Sequence, residues 1–547
     1  MSKTVRLRTS VMILLAVALL AVVSVHTQEL GTISFPTSGA AAAQPPFLEG
    51  VKELHSFQFE EAAVAFQKAE QLDPGFALAY WGEAMSFNHP LWAQVDVPAA
   101  KKALERLAPT LDARLAKART EKEKAYLQAV DLLFYSPGDK LARDRAYSGA
   151  MARMYERWPN DHEVAILYAL SLLGTVRPGD TGFRRQALSA SIALKVFQEN
   201  PKHPGAAHFI IHSFDDPDHA ILALPAANEY AQIAPAAAHA LHMPSHIFVQ
   251  LGMWDRVAAS NTAAYKAAMD LIARMHLAEG REDFHTLSWL EYANLMSGKF
   301  DEAKKNVELA KAAADRNRDN RAVRDSYLGM QARYILESGQ WEKIPLESAA
   351  PGTPISGLAP TPVTQGAPAA AGMQGMPGMQ GMPGMAAPAG PGYGGSATWT
   401  FIAGMCAAKL NDPATADQAA AQLRAMGERV ASGGNAYGAK PFAIMEKVVS
   451  ASAQLARSRM DDAVRLAKEA VDIELTLSAP SGPPDPIKPA LEFYGEVLLA
   501  AGRPAEAAAA FEQSLLRTPN RTPSVQGLAR ARTEAGAPRS PQQSQAR

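Results

Sequence analysis

Cysteine is almost missing from this chain of 547 residues: Cys406 is the only one. No disulfide can form within the chain, and neither a cysteine metal site nor an N-terminal cysteine lipid anchor is available. Aromatic residues make up only 7% while alanine recurs throughout, which speaks against a β-sandwich and for closely packed helices. An excess of charge of either sign is lacking too. Lys plus Arg is 54 and Asp plus Glu is 55, without the basic face or tail of a nucleic-acid-binding protein. What is present is 48% hydrophobic residues, enough for a sizeable core. At this length that means three or four domains or one long repeat array. Cys406 lies in the apolar segment Phe401–Ala408, where a buried, inert thiol is expected.

The one long hydrophobic run is near the N-terminus. Lys3, Arg6 and Arg8 precede an apolar stretch from Val11 to Val25, and small residues follow from Thr37 to Ala43. This is the order of a secretory signal, and the run is shorter than the roughly 20 residues that cross a bilayer. Residues 1–43 are therefore expected to be a signal peptide and spacer, cut either soon after Ser24 or near Ala43. The mature chain is expected to be exported, periplasmic or extracellular, with no stable membrane span once the signal is cleaved; a retained anchor is the alternative.

Beyond it the chain repeats. Pro201 and Pro235 are 34 residues apart, each before an Ala-rich helical segment. A Gly-x-aromatic-acidic-x-Ala/Val pattern recurs at Gly252-Met-Trp254-Asp255 and Gly298-Lys-Phe300-Asp301, and with Phe for Gly at Phe57-Gln-Phe59-Glu60. Each marks a tight turn between helices, and Ala62, Phe66 and Ala69 follow at helical spacing before Asp73-Pro74. This resembles the tetratricopeptide repeat, which implies an all-α superhelix of stacked helix hairpins. The resemblance runs over most of 47–536, with degenerate repeats at 100–200 and a capping helix at 522–535.

Composition interrupts the array once. From Ala349 to Gly395 the chain is Pro, Gly, Ala and Met with almost no charge, which cannot build a core. The stretch follows Gly339-Gln-Trp341, where a second helix of a repeat is due and Pro345 cuts it short. The expected organisation is an N-terminal array at 44–348, a linker at 349–395, a C-terminal array at 396–536 and a disordered tail at 537–547, giving two lobes. A larger resemblance is carried by Ala79-Tyr-Trp-Gly-Glu-Ala-Met-Ser-Phe87, His203-Pro-Gly-Ala-Ala-His208-Phe-Ile-Ile-His212, His242-Met-Pro-Ser-His246-Ile and Pro486–Gly495. These are similar to uncharacterised secreted bacterial tetratricopeptide proteins, a resemblance that implies no activity.

The histidines are the unusual feature. His208 and His212 are four apart, as are His242 and His246, and the pairs are offset by 34 residues. Residues four apart share a helix face, and on the repeat template both pairs line the concave groove, where four imidazoles could converge on one point. His239 and His285 could extend the cluster; His55, His89, Trp81 and Tyr292 are weaker groove candidates. Pro244 either kinks its helix, freeing the carbonyl of Ala240, or starts a new one with His246 in its first turn. Neutral imidazoles bind copper or zinc, so His208, His212, His242 and His246 are candidate ligands, with Asp215, Asp216 and Glu291 as neighbouring acids. The competing reading is a polar groove that recognises a protein or peptide, and it is the leading expectation, ahead of a metal-binding protein and of a metalloenzyme. No catalytic residue is assigned and an enzyme is not expected.

Met373, Met376, Met379, Met382 and Met385 keep a three-residue period. That suits Cu(I) but also arises from replication slippage. Gly390–Gly395 has the letters of a dinucleotide loop without a preceding strand, and no phosphate-binding loop, His-Glu-x-x-His or nucleophile elbow occurs.

Overall fold

The computed structural model describes residues 29–180, 182–346 and 394–536. The expected signal run, nearly all of the Met-rich linker and the tail lie outside the described residues. The helices are α1 (Gln44–His55), α2 (Phe59–Leu72), α3 (Ala77–Met85), α4 (Val97–Leu107), α5 (Leu111–Leu115), α6 (Glu121–Tyr135), α7 (Lys140–Arg157), α8 (His162–Leu173), α9 (Arg184–Glu199), α10 (Pro204–Ser213), α11 (Ala220–Ile233), α12 (Ala238–His242), α13 (Pro244–Gln250) and α14 (Trp254–Met275). They continue with α15 (Phe284–Met296), α16 (Phe300–Arg316), α17 (Arg321–Ser338), α18 (Gly394–Lys409), α19 (Pro413–Ser432), α20 (Ala436–Ala456), α21 (Met460–Glu474), α22 (Ala490–Ala500), α23 (Pro504–Arg517) and α24 (Thr522–Gly536). Consecutive helices pack as antiparallel hairpins, giving an all-α, tetratricopeptide-like solenoid. The only strands among the described residues form a short antiparallel ribbon, β1 (Asn88–His89) and β2 (Gln94–Val95).

The recurring turn is a helix C-cap. Gly252, Gly298 and Gly502 have φ of 64°, 71° and 68°, and Asn411, Ser458 and Phe57 take the same left-handed conformation. The next N–H reaches back to the carbonyl five residues earlier: Met253 to Phe248 at 2.8 Å, Lys299 to Asn294 at 2.8 Å, Arg503 to Leu498 at 2.9 Å. This closes the first helix and aims the second back along it. At Gly339 the left-handed turn forms, but residues 341–346 are not helical. Instead α17 packs directly on α18, so the stack continues across the linker with one helix missing. Ala332 and Ile335 of α17 share a core with Phe401, Cys406 and Val448, and the Cys406 thiol is buried.

The segment 29–43, expected as a spacer, is instead part of the fold. Leu30 and Phe35 are 1% and 3% exposed, the Thr32 N–H donates to the Lys202 carbonyl at 2.9 Å, and Ser38 donates to Glu123. The Phe35 ring lies 5.3 Å from those of Phe47 and Tyr126 and 6.0 Å from Trp81. Cleavage near Ala43 would remove this packing; cleavage soon after Ser24 would leave it. The array also closes on itself: the end of α1 meets the starts of α8 and α10, more than a hundred residues away. That closure assembles the site.

Candidate metal centre

Each histidine is placed by an identifiable local signal. Pro204 occupies the first turn of α10 while the His203 Nδ1 accepts the Ala206 N–H at 3.3 Å as an N-cap, and His208 and His212 follow on one face. At Pro244 the second of the two expected arrangements is found: α12 ends at His242 and α13 begins at Pro244. Met243 between them keeps helical angles, φ −55° and ψ −35°. His285 sits in the first turn of α15, capped by Asp283, which accepts the Thr286 N–H at 3.0 Å.

The imidazoles gather into two trios rather than at a single point. His208, His212 and His239 form one and His242, His246 and His285 the other, with one nitrogen from each ring within 4.8 Å of the other two. In the second trio the His242 Nε2 lies 3.1 Å from His246 Nε2 and 3.0 Å from His285 Nε2. In the first, His239 Nε2 is 3.1 Å from His208 Nε2. Metal–nitrogen bonds of about 2.0–2.1 Å at tetrahedral angles put ligand nitrogens about 3.3 Å apart, the same spacing to within a few tenths of an ångström.

The other ring nitrogens decide what these contacts mean. His242 Nδ1 lies 2.7 Å from the Asn261 Oδ1, and the Asn261 amide is oriented because its Nδ2 donates to the Val257 carbonyl at 2.8 Å. His246 Nδ1 is 2.7 Å from Asp215 Oδ2. His208 Nδ1 is 2.6 Å from the His55 carbonyl. All three partners accept only, so Nδ1 carries the proton and each Nε2 presents a lone pair. His242 and His246 thus face each other lone pair to lone pair, which no hydrogen bond between neutral rings explains. Burial holds His242 well below its ordinary pKa, which disfavours a proton on its Nε2. Burial also brings His208 and His285 down to about 3 and pushes His212 and His239 far down. The His212 Nε2 is buried without a partner. Three rings, His208, His242 and His246, are aimed by acceptors behind them and turn Nε2 toward their neighbours, the arrangement a metal ion requires.

A third cluster, His55, Glu163 and His203, is chemically different. His55 Nε2 and His203 Nε2 approach the two carboxylate oxygens of Glu163 at 2.7 and 3.2 Å, and His203 Nδ1 is used in its cap. Its lone pairs have partners, and all three side chains are at most 1% exposed. It is a structural clamp that holds α1, α8 and α10 together and presents the His55 carbonyl to His208.

Aromatic side chains wall the trios. Phe57 lies 4.4 Å from His208 and 5.4 Å from His239, centroid to centroid, and Trp92 is 6.4 Å from His239. Trp289 is 4.4 Å from His246 and 5.0 Å from His242. The loop after α21 covers Trp289: Gln250 Nε2 donates to the Pro480 carbonyl at 2.9 Å, and a Cβ on Gly482 would come within 2.4 Å of the Trp289 ring. His208 and His242 are buried and the other four ligands are half-buried.

Several groove expectations need correction. Trp81 is 0% exposed, because Phe35 and Tyr126 enclose it. His55 is taken into the Glu163 clamp. His89 stacks on Phe59 at 4.1 Å in the ribbon, since its chain leaves the helix at Met85. Tyr292 is 2% exposed, with its hydroxyl 3.4 Å from Arg521 of the C-terminal array. Asp215 supports His246, Asp216 pairs with His219 at 2.8 Å, and Glu291 is buried near Arg333 at 3.7 Å. Phe57, Trp289 and Asn261 were not anticipated. Phe57 had a signal, a bulky residue where this turn takes glycine, and Trp289 another, four residues after His285 on the same face.

No family model matches the sequence, and no curated protein matches it. Among solved structures, yeast Tom70 is 11% identical with a TM-score of 0.31, over 90% of this chain and 88% of that one. The human IFIT1 dimer with m7Gppp-AAAA is 12% identical with a TM-score of 0.31, over 92% of each chain. The Cut9–Hcn1 hetero-tetramer of APC/C is 13% identical with a TM-score of 0.31, over 91% and 78%. The site residues are read from this chain alone.

Proposed function

We propose that this is an exported metal-binding protein that holds copper or zinc on buried histidine trios and keeps or hands on the ion rather than catalysing a reaction. The observation that carries the reading is the pair His242 and His246, whose Nδ1 protons are committed to Asn261 and Asp215 while their Nε2 lone pairs meet at 3.1 Å. A bound cation satisfies both. A peptide groove would instead turn donors and acceptors outward, and here the rings face one another behind Phe57 and Trp289. Export rests on the Lys/Arg, apolar and small-residue order of the first 43 residues. Among the described residues no helix is long and apolar enough to cross a membrane.

The test is metal stoichiometry by mass spectrometry on protein starting at Val25, isolated without chelators or a metal-binding tag, then challenged separately with Zn(II) and Cu(I). Metal that is retained through gel filtration and lost when His242, His246 and His285 become Ala, with helicity intact, supports the reading. A wild-type chain that stays empty after both challenges overturns it and returns the histidines to a recognition role.

A further inference from the structure

We infer that the two trios together form one dinuclear copper(I) site, built by repeating a half-site along the solenoid. This rests on the metal reading above and adds both the number of ions and their identity.

The repetition is visible in the chain. Each trio takes an i, i+4 pair from the inner helix of one repeat and a third imidazole from the start of the next: His208 and His212 on α10 with His239 on α12, then His242 and His246 across α12 and α13 with His285 on α15. The half-sites are in contact. His212 and His246 have ring centroids 6.0 Å apart, and His239 and His242 6.2 Å. An ion held in one trio therefore has the second trio's rings as its neighbours. Both trios are aimed from behind in the same way, by the His55 carbonyl, Asn261 and Asp215.

Charge selects the ion. Imidazole binds a metal ion as a neutral ligand, and the carboxylate that touches a ligand ring is Asp215, through Oδ2; its Oδ1 is buried with no partner. Two divalent ions would place four positive charges beside one negative one inside the protein, whereas two copper(I) ions place two. Three imidazoles also complete a trigonal copper(I), while zinc would still need a fourth ligand.

The experiment uses the chain from Val25, titrated with copper(I) under anaerobic conditions against bicinchoninate as competing chelator, and in parallel with zinc. The expected result is two copper(I) per chain, falling to one in His208→Ala/His239→Ala and to one in His246→Ala/His285→Ala. Ferricyanide then removes one electron from each copper(I). The wild-type pair is expected to give coupled copper(II), with spin intensity well below two per chain or a half-field signal, while each one-trio variant gives a single isolated copper(II). One ion per chain in wild type, two uncoupled spins, or two zinc ions in preference to copper would overturn the inference. A wild-type chain that takes up no metal would overturn the metal reading itself, a different outcome from one ion held on His242, His246 and His285. The wild-type readings do not depend on whether the variants fold.

Discussion

Asn261 offers a direct way to separate a metal ligand set from a cluster of buried histidines. It is 0% exposed on α14, accepts from His242 Nδ1 at 2.7 Å and donates to the Val257 carbonyl at 2.8 Å. Asn261→Ala removes the acceptor and frees the ring to rotate or to move its proton to Nε2, which would block the ligand atom. Loss of such an outer partner weakens metal binding about 10- to 100-fold, or about 1.4 to 2.7 kcal/mol. The lost buried hydrogen bond costs about 1 to 3 kcal/mol of stability in the metal-free protein. Asn261→Asp keeps the acceptor and adds a negative charge, so it destabilises the metal-free chain by burying a carboxylate but retains or strengthens metal affinity. Affinity by chelator competition and stability by urea unfolding, measured on both variants, give the comparison. If Asn261→Ala loses stability but binds metal within twofold of wild type, His242 is not a ligand and the reasoning fails.

Three further outcomes follow from the same structure. Burial alone would raise the Glu163 pKa, but His203 and His55 outweigh it and bring it from 4.5 to about 2. Their stabilisation is complete above about pH 4.5 and is lost as pH falls toward 2, and Glu163→Gln should flatten this part of the profile of melting temperature against pH. Arg521 is fully buried, gripping Glu492 through Nε at 2.8 Å and Nη2 at 3.0 Å and also pairing with Glu337; Arg521→Met takes the guanidinium from both buried carboxylates, leaving Glu492 with Lys488 at 2.8 Å, and should cost about 3 to 5 kcal/mol in denaturant unfolding. Gly482→Ala should drive the Trp289 ring toward His246 and weaken metal binding without touching a ligand, which chelator competition would show; unchanged affinity would mean that Trp289 does not shape the site.

The repeat architecture was legible in the sequence because it depends on local rules. The left-handed glycines at Gly252, Gly298 and Gly502 and the alanine-rich helical spacing specify helix, turn and returning helix without reference to the rest of the chain. The pairs His208/His212 and His242/His246 were legible for the same reason, since a spacing of four puts two side chains on one face of one helix. The break at Pro244 was legible as an alternative, and the missing proline N–H settled where α13 starts.

Tertiary structure decided which imidazoles meet. His239 and His285 join the trios because successive inner helices pack in one core that includes Ile210, Tyr230 and Ile247, not through any local spacing. The closure of α1 onto α8 and α10 brings the His55 carbonyl behind His208 and Phe57 in front of it, across 153 residues of chain. The same closure buries His55 itself, and Trp81 disappears behind Phe35 because residues 29–43 fold back into the first core. The sequence by itself determined helix hairpins and paired histidines, which are properties of one turn of helix. Only the folded superhelix determined that six rings gather in two trios, because that depends on contacts between segments whose sequences carry no record of each other.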